Sequence, residues 1–96
     1  MKVELSEEAE EQVRAIDAWW RQNRRAAPDL FLTELEDALS RLEEIPGLGS
    51  RYIAGSQHVR RLLLRRSHYH LYIEDRLDDL LVVAVWNAYR GRGPRL

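Results

Sequence analysis

The stretch from Val59 to Arg90 limits most strongly what this chain can fold into. It contains three apolar runs of strand length, rich in Leu, Val, Ile, Tyr and Trp: Val59–Arg65, Tyr69–Glu74 and Leu80–Ala88. The two breaks between these runs are too short for the crossover that parallel strands require. The pattern therefore predicts an antiparallel three-stranded meander, and the rest of the chain is expected to pack on it.

The residues before this stretch predict a short strand and two helices. Lys2–Leu5 alternates polar and apolar residues, as edge strands do. Ser6 is a candidate N-cap for a first helix with an apolar stripe on one face: Ala9, Val13, Ile16 and Trp20. A second helical stripe ends before Pro46-Gly47: Phe31, Leu35, Ala38, Leu42 and Ile45. Because the joint between the helices is short, they are expected to form an antiparallel hairpin.

Two other segments are expected to lack regular structure. Gly47–His58 contains glycines and no periodicity, which predicts a loop before the sheet. Tyr89–Leu96 places Arg90, Arg92 and Arg95 among glycines and a proline, which predicts a mobile tail. The predicted fold is α+β with the element order β-α-α-β-β-β, in a single domain over residues 1–96.

Composition narrows the classes of protein that the chain can belong to. Hydrophobic residues are 45% and charged residues 32%, which is ordinary for a globular protein. The chain has no cysteine, and no carboxylate ligand set accompanies His58, His68 and His70, so neither a metal nor a cofactor is expected. No apolar run approaches the roughly 20 residues of a membrane span, so the expected location is the cytoplasm, without a membrane partner.

Charge is distributed unevenly along the chain. Residues 1–48 contain 6 Lys/Arg and 12 Asp/Glu, whereas residues 49–96 contain 9 Arg and 4 Asp/Glu. The molecule is therefore expected to have an acidic half and a basic half. The basic half is either a solvated part of a dipolar surface or the binding surface for an acidic partner.

Four short motifs resemble the RelE/ParE superfamily of bacterial toxins from type II toxin–antitoxin modules. In chain order they are Ala38-Leu39-x-x-Leu42-x-x-Ile45-Pro46-x-x-Gly49, Val59-Arg60-Arg61-Leu62, Tyr69-x-Leu71-Tyr72 and Val83-x-Val85-Trp86-Asn87-Ala88-x-Arg90. The closing motif and the short tail look more like the ParE branch than the RelE branch. The resemblance implies a cytoplasmic toxin that forms a hetero-oligomer with a ParD-like antitoxin. ParE-like members are described as inhibitors of DNA gyrase, and RelE-like members as ribosome-dependent mRNA endoribonucleases.

Strand alternation divides the predicted sheet into a core face and an open face. In the first run, Leu62 and Leu64 are expected to point to the core, and the open face receives Arg61, Leu63 and Arg65. In the second run, the core set is Tyr69, Leu71 and Ile73, and the open set is His70, Tyr72 and Glu74. The third run is apolar on both sides. Similarity to the family places Val83 and Val85 inward, with Ala84, Trp86, Ala88 and Arg90 on the open face.

The open face decides between the two activities that the resemblance allows. A RelE-like nuclease would use the candidate catalytic residues Arg61, Arg65, His70 and Arg90. However, His70 and Leu63 stand where such nucleases have an arginine and a lysine, and no matching C-terminal tyrosine is present. The favoured interpretation is a gyrase inhibitor with no catalytic residues and no sequence-specific nucleic-acid binding. Its target-binding residues would be Arg61, Arg65, Trp86, Arg90, Arg92 and Arg95. The alternatives are an mRNA endoribonuclease and a toxin-fold domain that has lost toxicity.

The helical hairpin offers a surface for the antitoxin. Its apolar face is wider than one packing partner needs, which suits a helix of the antitoxin bound in a groove. The sheet also has free edges, which suit an added strand. The residues expected to contact the antitoxin are Trp19, Leu32, Leu39 and Arg65.

Overall fold

The computed structural model, which describes residues 1–96, has two helices and five strands. In chain order they are β1 (Lys2–Leu5), α1 (Glu7–Asn23), α2 (Leu30–Glu44), β2 (Ser50–Ala54), β3 (Gln57–Leu64), β4 (Tyr69–Asp75) and β5 (Asp79–Asn87). The predicted α+β class is confirmed, and so is the order of the predicted elements. The predicted meander corresponds to β3, β4 and β5, and β2 is an additional strand.

All five strands form one sheet in the order β1-β5-β4-β3-β2. The neighbours from β2 to β5 are antiparallel, whereas β1 lies parallel to β5, with Lys2 opposite Asp79 and Leu5 opposite Val82. The predicted edge position of β1 is therefore confirmed. β1 covers only the first half of β5, so the edge of β5 beyond Val82 has no strand partner.

The prediction that Gly47–His58 is a loop was wrong over β2. This strand pairs with β3 from Ser50 opposite Arg61 to Ala54 opposite Gln57. Only Gly55 and Ser56 connect the two strands, and Gly55 adopts φ +62°, which glycine tolerates best. The apolar pattern of β2 is weak because it lies at the sheet edge, where even Ile53 is exposed. The two-residue Gly-Ser turn was the available sequence signal.

Both helices pack on one face of the sheet. Ser6 is the N-cap of α1, as predicted, and its Oγ accepts a hydrogen bond from the amide of Ala9 at 3.1 Å. The helices contribute six buried residues to the main core: Ala9, Trp20, Phe31, Leu35, Ala38 and Leu42. The sheet contributes seven: Leu64, Tyr69, Leu71, Ile73, Leu80, Val82 and Val85. The faces predicted for the first and second apolar runs are therefore confirmed.

A smaller cluster occupies the open face, opposite the helices. Its buried members are Val59, Tyr72 and Ala84, and the half-buried residues packed against them are Tyr52, Val83 and Trp86. The inward orientation predicted for Val83 was wrong, because the residue in the main core is Val82. Tyr72 lies opposite Ala84 and Ile73 lies opposite Val82, so Val83 is the extra residue of a β-bulge. The bulge moves the alternation by one position and keeps Val85 inward and Trp86 on the open face.

Candidate functional site

Three aromatic side chains from three strands form a platform on the open face, which we call the aromatic seat: Tyr52, Tyr72 and Trp86. The rings of Tyr52 and Tyr72 meet edge to face, with centroids 5.3 Å apart. Tyr72 is the most deeply buried of the three, at 2% exposure. The sheet therefore has a second apolar surface, although no helix covers it.

Two of the predicted target-binding arginines lie over this seat. The guanidinium carbon of Arg61 is 4.4 Å from the ring centroid of Tyr52, and that of Arg90 is 5.1 Å from the ring of Trp86. Both distances are within the range of cation–π attraction. The ring contacts therefore place two cations on the open face.

The other predicted arginines are not gathered with them. Arg65 is exposed just beyond the end of β3, while Arg92 and Arg95 are exposed in the last segment of the chain. The structure thus places Arg61 over Tyr52 and Arg90 over Trp86 on the open face, and leaves the remaining three arginines exposed outside these ring contacts.

His70 and Tyr72 have altered proton affinities on the same face. Burial lowers the pKa of His70, and the nearby charge of Arg61 lowers it further. Burial also raises the pKa of Tyr72, against the opposing effect of the nearby Arg61 side chain. At neutral pH the imidazole is therefore unprotonated and the phenol protonated. A neutral imidazole beside an arginine can accept a proton near a bound anion.

The last residues turn back over the sheet. The Asn87 side chain accepts a hydrogen bond from the Tyr89 amide at 2.8 Å, which starts the turn, and the Trp86 indole Nε1–H donates to the Arg92 carbonyl at 2.8 Å. Pro94 is buried. The tail lacks regular structure, as predicted, but it packs on the open face instead of extending into solvent.

A groove of about 400 Å³ separates α1 from the second half of β5. Its nine lining residues are mainly apolar: Gln12, Ala15, Ile16, Trp19, Tyr69, Val85, Trp86, Asn87 and Arg90. Trp19 is 45% exposed at its border. The Gln12 side-chain oxygen accepts a hydrogen bond from the Val85 amide at 2.7 Å, at the part of the β5 edge that β1 does not reach. Trp19 therefore belongs to a concave apolar surface with one cation, Arg90.

The predicted antitoxin-contacting residues do not all meet in this groove. Leu32 and Leu39 are half-buried on α2 and pack against the main core. Arg65 lies beyond β3, outside the residues that line the groove. Only Trp19 of that set lines it.

Several polar residues that the sequence did not single out hold the sheet in place. The Arg60 side chain is 13% exposed and binds the Asp75 carboxylate through Nε at 3.0 Å and Nη2 at 2.8 Å. Its Nη1 donates to the Leu48 carbonyl. Arg60 thus ties β3 to the end of β4 and to the loop after α2. These partners lie 12 and 15 residues away, so no local pattern identifies them.

Glu34 fixes the turn between β3 and β4 to α2. Its carboxylate accepts hydrogen bonds from the Arg66 amide at 2.8 Å, the Ser67 amide at 2.9 Å and Ser67 Oγ at 2.6 Å. Burial works to raise the pKa of Glu34, but these hydrogen bonds and the charge of Arg66 outweigh it, so the pKa is lowered. In the same turn His68 adopts φ +65°.

Neither a metal site nor a membrane-spanning element stands out. No three His, Cys, Asp or Glu side chains lie close enough together to hold a metal ion. Neither helix has the length and apolar character needed to cross a bilayer.

Comparison with known proteins places the chain in a family. One solved structure with a similar fold is described as the chromosomal ParDE TA system from P. aeruginosa, with a TM-score of 0.72 and 14% sequence identity. The match covers 91% of this chain and 95% of that chain. No curated protein matches the sequence. The family model of the ParE toxin of the type II toxin–antitoxin system parDE matches residues 3–90. The chain therefore belongs to the ParE toxin family.

Proposed function

We propose that this ParE-family toxin inhibits growth by binding DNA gyrase through the open face, and that an antitoxin neutralises it. The gyrase target follows from the resemblance to ParE-like inhibitors. The observation that supports the binding surface is the placement of Arg61 and Arg90 over aromatic rings at 4.4 and 5.1 Å. Held in this way, an arginine loses less side-chain freedom when it binds a carboxylate or phosphate. Trp86 adds an apolar contact beside Arg90, and Arg65, Arg92 and Arg95 extend the positive surface.

The groove between α1 and β5 is the proposed anchor for the antitoxin. Its apolar lining suits the apolar side of a helix, and the edge of β5 beyond Val82, which no strand covers, suits an added strand that replaces Gln12 at the Val85 amide. Arg90 at the groove attracts an acidic residue of the antitoxin. Leu32 and Leu39 provide a second contact on α2, and Arg65 pairs with further acidic residues.

Gyrase supercoiling assayed with the purified protein tests the target. The wild-type protein is expected to inhibit supercoiling of relaxed plasmid, and the Arg61→Ala/Arg90→Ala double variant is expected to lose at least tenfold in potency. Arg14→Ala, an exposed arginine of α1 outside the groove, is the matched control and should behave as wild type. Supercoiling that is unaffected by the wild-type protein would refute the gyrase target.

The antitoxin contact is tested by binding. Trp19→Ala should weaken the affinity for the antitoxin encoded beside the toxin by about 2 kcal/mol, or roughly 30-fold, because buried tryptophans dominate interfaces. Leu39→Ala should have a smaller effect. Leu77→Ala, which removes an apolar side chain that is 94% exposed, is the control. Unchanged affinity for Trp19→Ala and Leu39→Ala combined would exclude the helical half of the proposed interface.

A second candidate function is mRNA cleavage, which the position of His70 close to Arg61 on the open face favours. In that case His70 would accept the proton of the 2′-hydroxyl as the 2′-oxygen attacks phosphorus, and Arg61, Arg65 and Arg90 would stabilise the phosphate charge. The bond to the 5′-oxygen would break, and that oxygen would take a proton from water or from the His70 imidazolium. Mapping of mRNA 5′ ends after induction distinguishes the two functions. New ends inside translated codons that disappear with His70→Ala would support cleavage. Growth that is unaffected by the wild-type protein would identify a toxin fold that has lost toxicity.

A further inference from the structure

The aromatic seat already holds an extended peptide segment, namely residues Gly91–Leu96 of the same chain. The Trp86 indole Nε1–H donates to the Arg92 carbonyl at 2.8 Å, while the Arg90 side chain lies over the same indole ring. Trp86 therefore contacts both the backbone of the segment, at Arg92, and the side chain of Arg90, the residue just before the segment.

Gly93 lies against the two tyrosines of the seat. A Cβ atom at this position would be 3.0 Å from the Tyr52 hydroxyl oxygen and 3.5 Å from that of Tyr72. A contact at 3.0 Å is tighter than most Cβ contacts, so a side chain at this position requires the Tyr52 hydroxyl to move by a few tenths of an ångström. Beyond it Pro94 is buried, and Leu96 borders a depression with Gln57 and Val83. The segment thus crosses the open face from Trp86 of β5, and its last residue lies near the starts of both β3 and α1.

The segment is held weakly in comparison with the rest of the fold. It pairs with no strand, and neither Arg92 nor Arg95 forms an ion pair. Gly91, Arg92, Arg95 and Leu96 are exposed. A segment with one side-chain hydrogen bond and few buried residues opens locally without unfolding the domain.

We propose that Gly91–Leu96 is a displaceable strap, and that a partner of the open face replaces it with an extended segment of its own. The incoming segment presents a backbone carbonyl to the Trp86 indole and a small residue to the hydroxyls of Tyr52 and Tyr72. Recognition of extended peptides by aromatic grooves follows the same physical chemistry. The strap itself is independent of the proposed function, whereas its displacement by the toxin's target depends on it. Only molecules with an open strap can bind the target. The apparent affinity is therefore the intrinsic affinity multiplied by the fraction of molecules whose strap is open.

Two glycine substitutions in the full chain test the strap. Gly93→Val brings branched carbon atoms against the tyrosine hydroxyls, whereas Gly91→Val is a matched control because a Cβ there meets nothing within 4 Å. Hydrogen exchange of the Trp86 indole N–H, assigned by its loss in Trp86→Phe, reports strap closure. Its rate should be the same in the wild type and in Gly91→Val, and at least ~10-fold faster in Gly93→Val. The Trp20 indole N–H, which donates to the Tyr69 hydroxyl at 3.4 Å in the core, should be unchanged and so show that the fold is intact.

A synthetic peptide tests whether the seat accepts a segment in trans. A peptide with the sequence of residues 90–96, added to Gly93→Val, should return the Trp86 indole signal toward its wild-type position. The control peptide, which has valine in place of the central glycine, should leave the signal unchanged. Equal Trp86 exchange in Gly93→Val and Gly91→Val would overturn the strap. A peptide that leaves the Trp86 signal unmoved would overturn the seat as a binding site.

Binding to gyrase tests the displacement. Gly93→Val retains all three tail arginines and should bind gyrase several-fold more tightly than Gly91→Val. Equal or weaker binding would overturn displacement by the target. If neither variant nor the wild type binds gyrase, the proposed target fails, and the indole and peptide measurements decide the strap on their own.

Discussion

The two faces of the sheet are stabilised in different ways. The helix-covered face belongs to a cluster of 13 buried residues, whereas the open face has 3. On the helix-covered face, apolar burial determines the packing, and each side chain is surrounded by others. On the open face, aromatic rings contact arginines and the last segment of the chain, and these contacts are partly exposed to solvent. The comparison shows how one sheet can be tightly packed on the side that the helices cover and more loosely packed on the opposite side.

The largest expected difference between the faces comes from two leucines on adjacent strands. Leu71 on β4 is fully buried in the main core, and Leu63 on β3 is 42% exposed on the open face. Leu71→Ala should lower the free energy of unfolding by about 2–5 kcal/mol through lost burial and a cavity, while Leu63→Ala should change it by about 0.5 kcal/mol or less. Urea denaturation measures both. Equal losses would mean that the open face is covered more tightly than the structure indicates.

Two consecutive arginines provide the next comparison. Arg60 points to the helix side, where it binds Asp75 and the Leu48 carbonyl, whereas Arg61 lies over Tyr52 on the open face. Arg60→Ala should reduce the free energy of unfolding by about 2 kcal/mol, because hydrogen bonds to charged groups contribute roughly 1.5–3 kcal/mol each and Asp75 is largely exposed. Arg61→Ala should cost roughly 0.5–1 kcal/mol. Thermal or urea unfolding of both variants tests the order, and a larger loss for Arg61→Ala would contradict it.

The contact between α2 and the β3–β4 turn should depend on pH. The pKa of Glu34 is lowered in the folded state, so its contribution to stability is present above its ordinary value of 4.5 and is lost as the pH falls through the folded pKa. Glu34→Gln should therefore cost about 1 kcal/mol at pH 7 and less at pH 3. Urea unfolding at the two pH values measures the difference. A cost that is the same at both would show that charge on Glu34 is not involved.

The smallest expected effect concerns the strap. Trp86→Phe keeps an aromatic ring on the open face but removes the donor to the Arg92 carbonyl. Because that carbonyl is exposed and water can replace the donor, the loss of unfolding free energy should be about 0.5 kcal/mol. Urea denaturation is the measurement. A loss above about 2 kcal/mol would mean that the strap is part of the fold and not a displaceable segment.

Local patterns in the sequence predicted the helices and the faces of two strands. The stripe spacing placed Phe31, Leu35, Ala38 and Leu42 on one side of α2, and all four are buried. Period-two alternation did the same for Tyr69, Leu71 and Ile73 on β4. These assignments succeed because a side chain's direction follows from backbone periodicity, and apolar side chains must leave water. The candidate site was predicted less completely. Arg61 and Arg90 each lie over an aromatic ring of the open face, whereas Trp19 lies in a groove that Gln12 and Asn87 help to form.

Tertiary structure alone decided three features. The bulge at Val83 arises from the pairing of β5 with β4, and β5 is apolar on both sides, so its own sequence fits more than one phase. The sheet and the helical hairpin bring Arg60 and Glu34 close to their hydrogen-bond partners, which are distant in the sequence. Local sequence patterns therefore do not predict these contacts. The last segment is glycine-rich and has little intrinsic preference for any conformation. It is positioned because the folded sheet presents Trp86 and two tyrosines to it, a surface that exists only once residues from β2, β4 and β5 lie side by side.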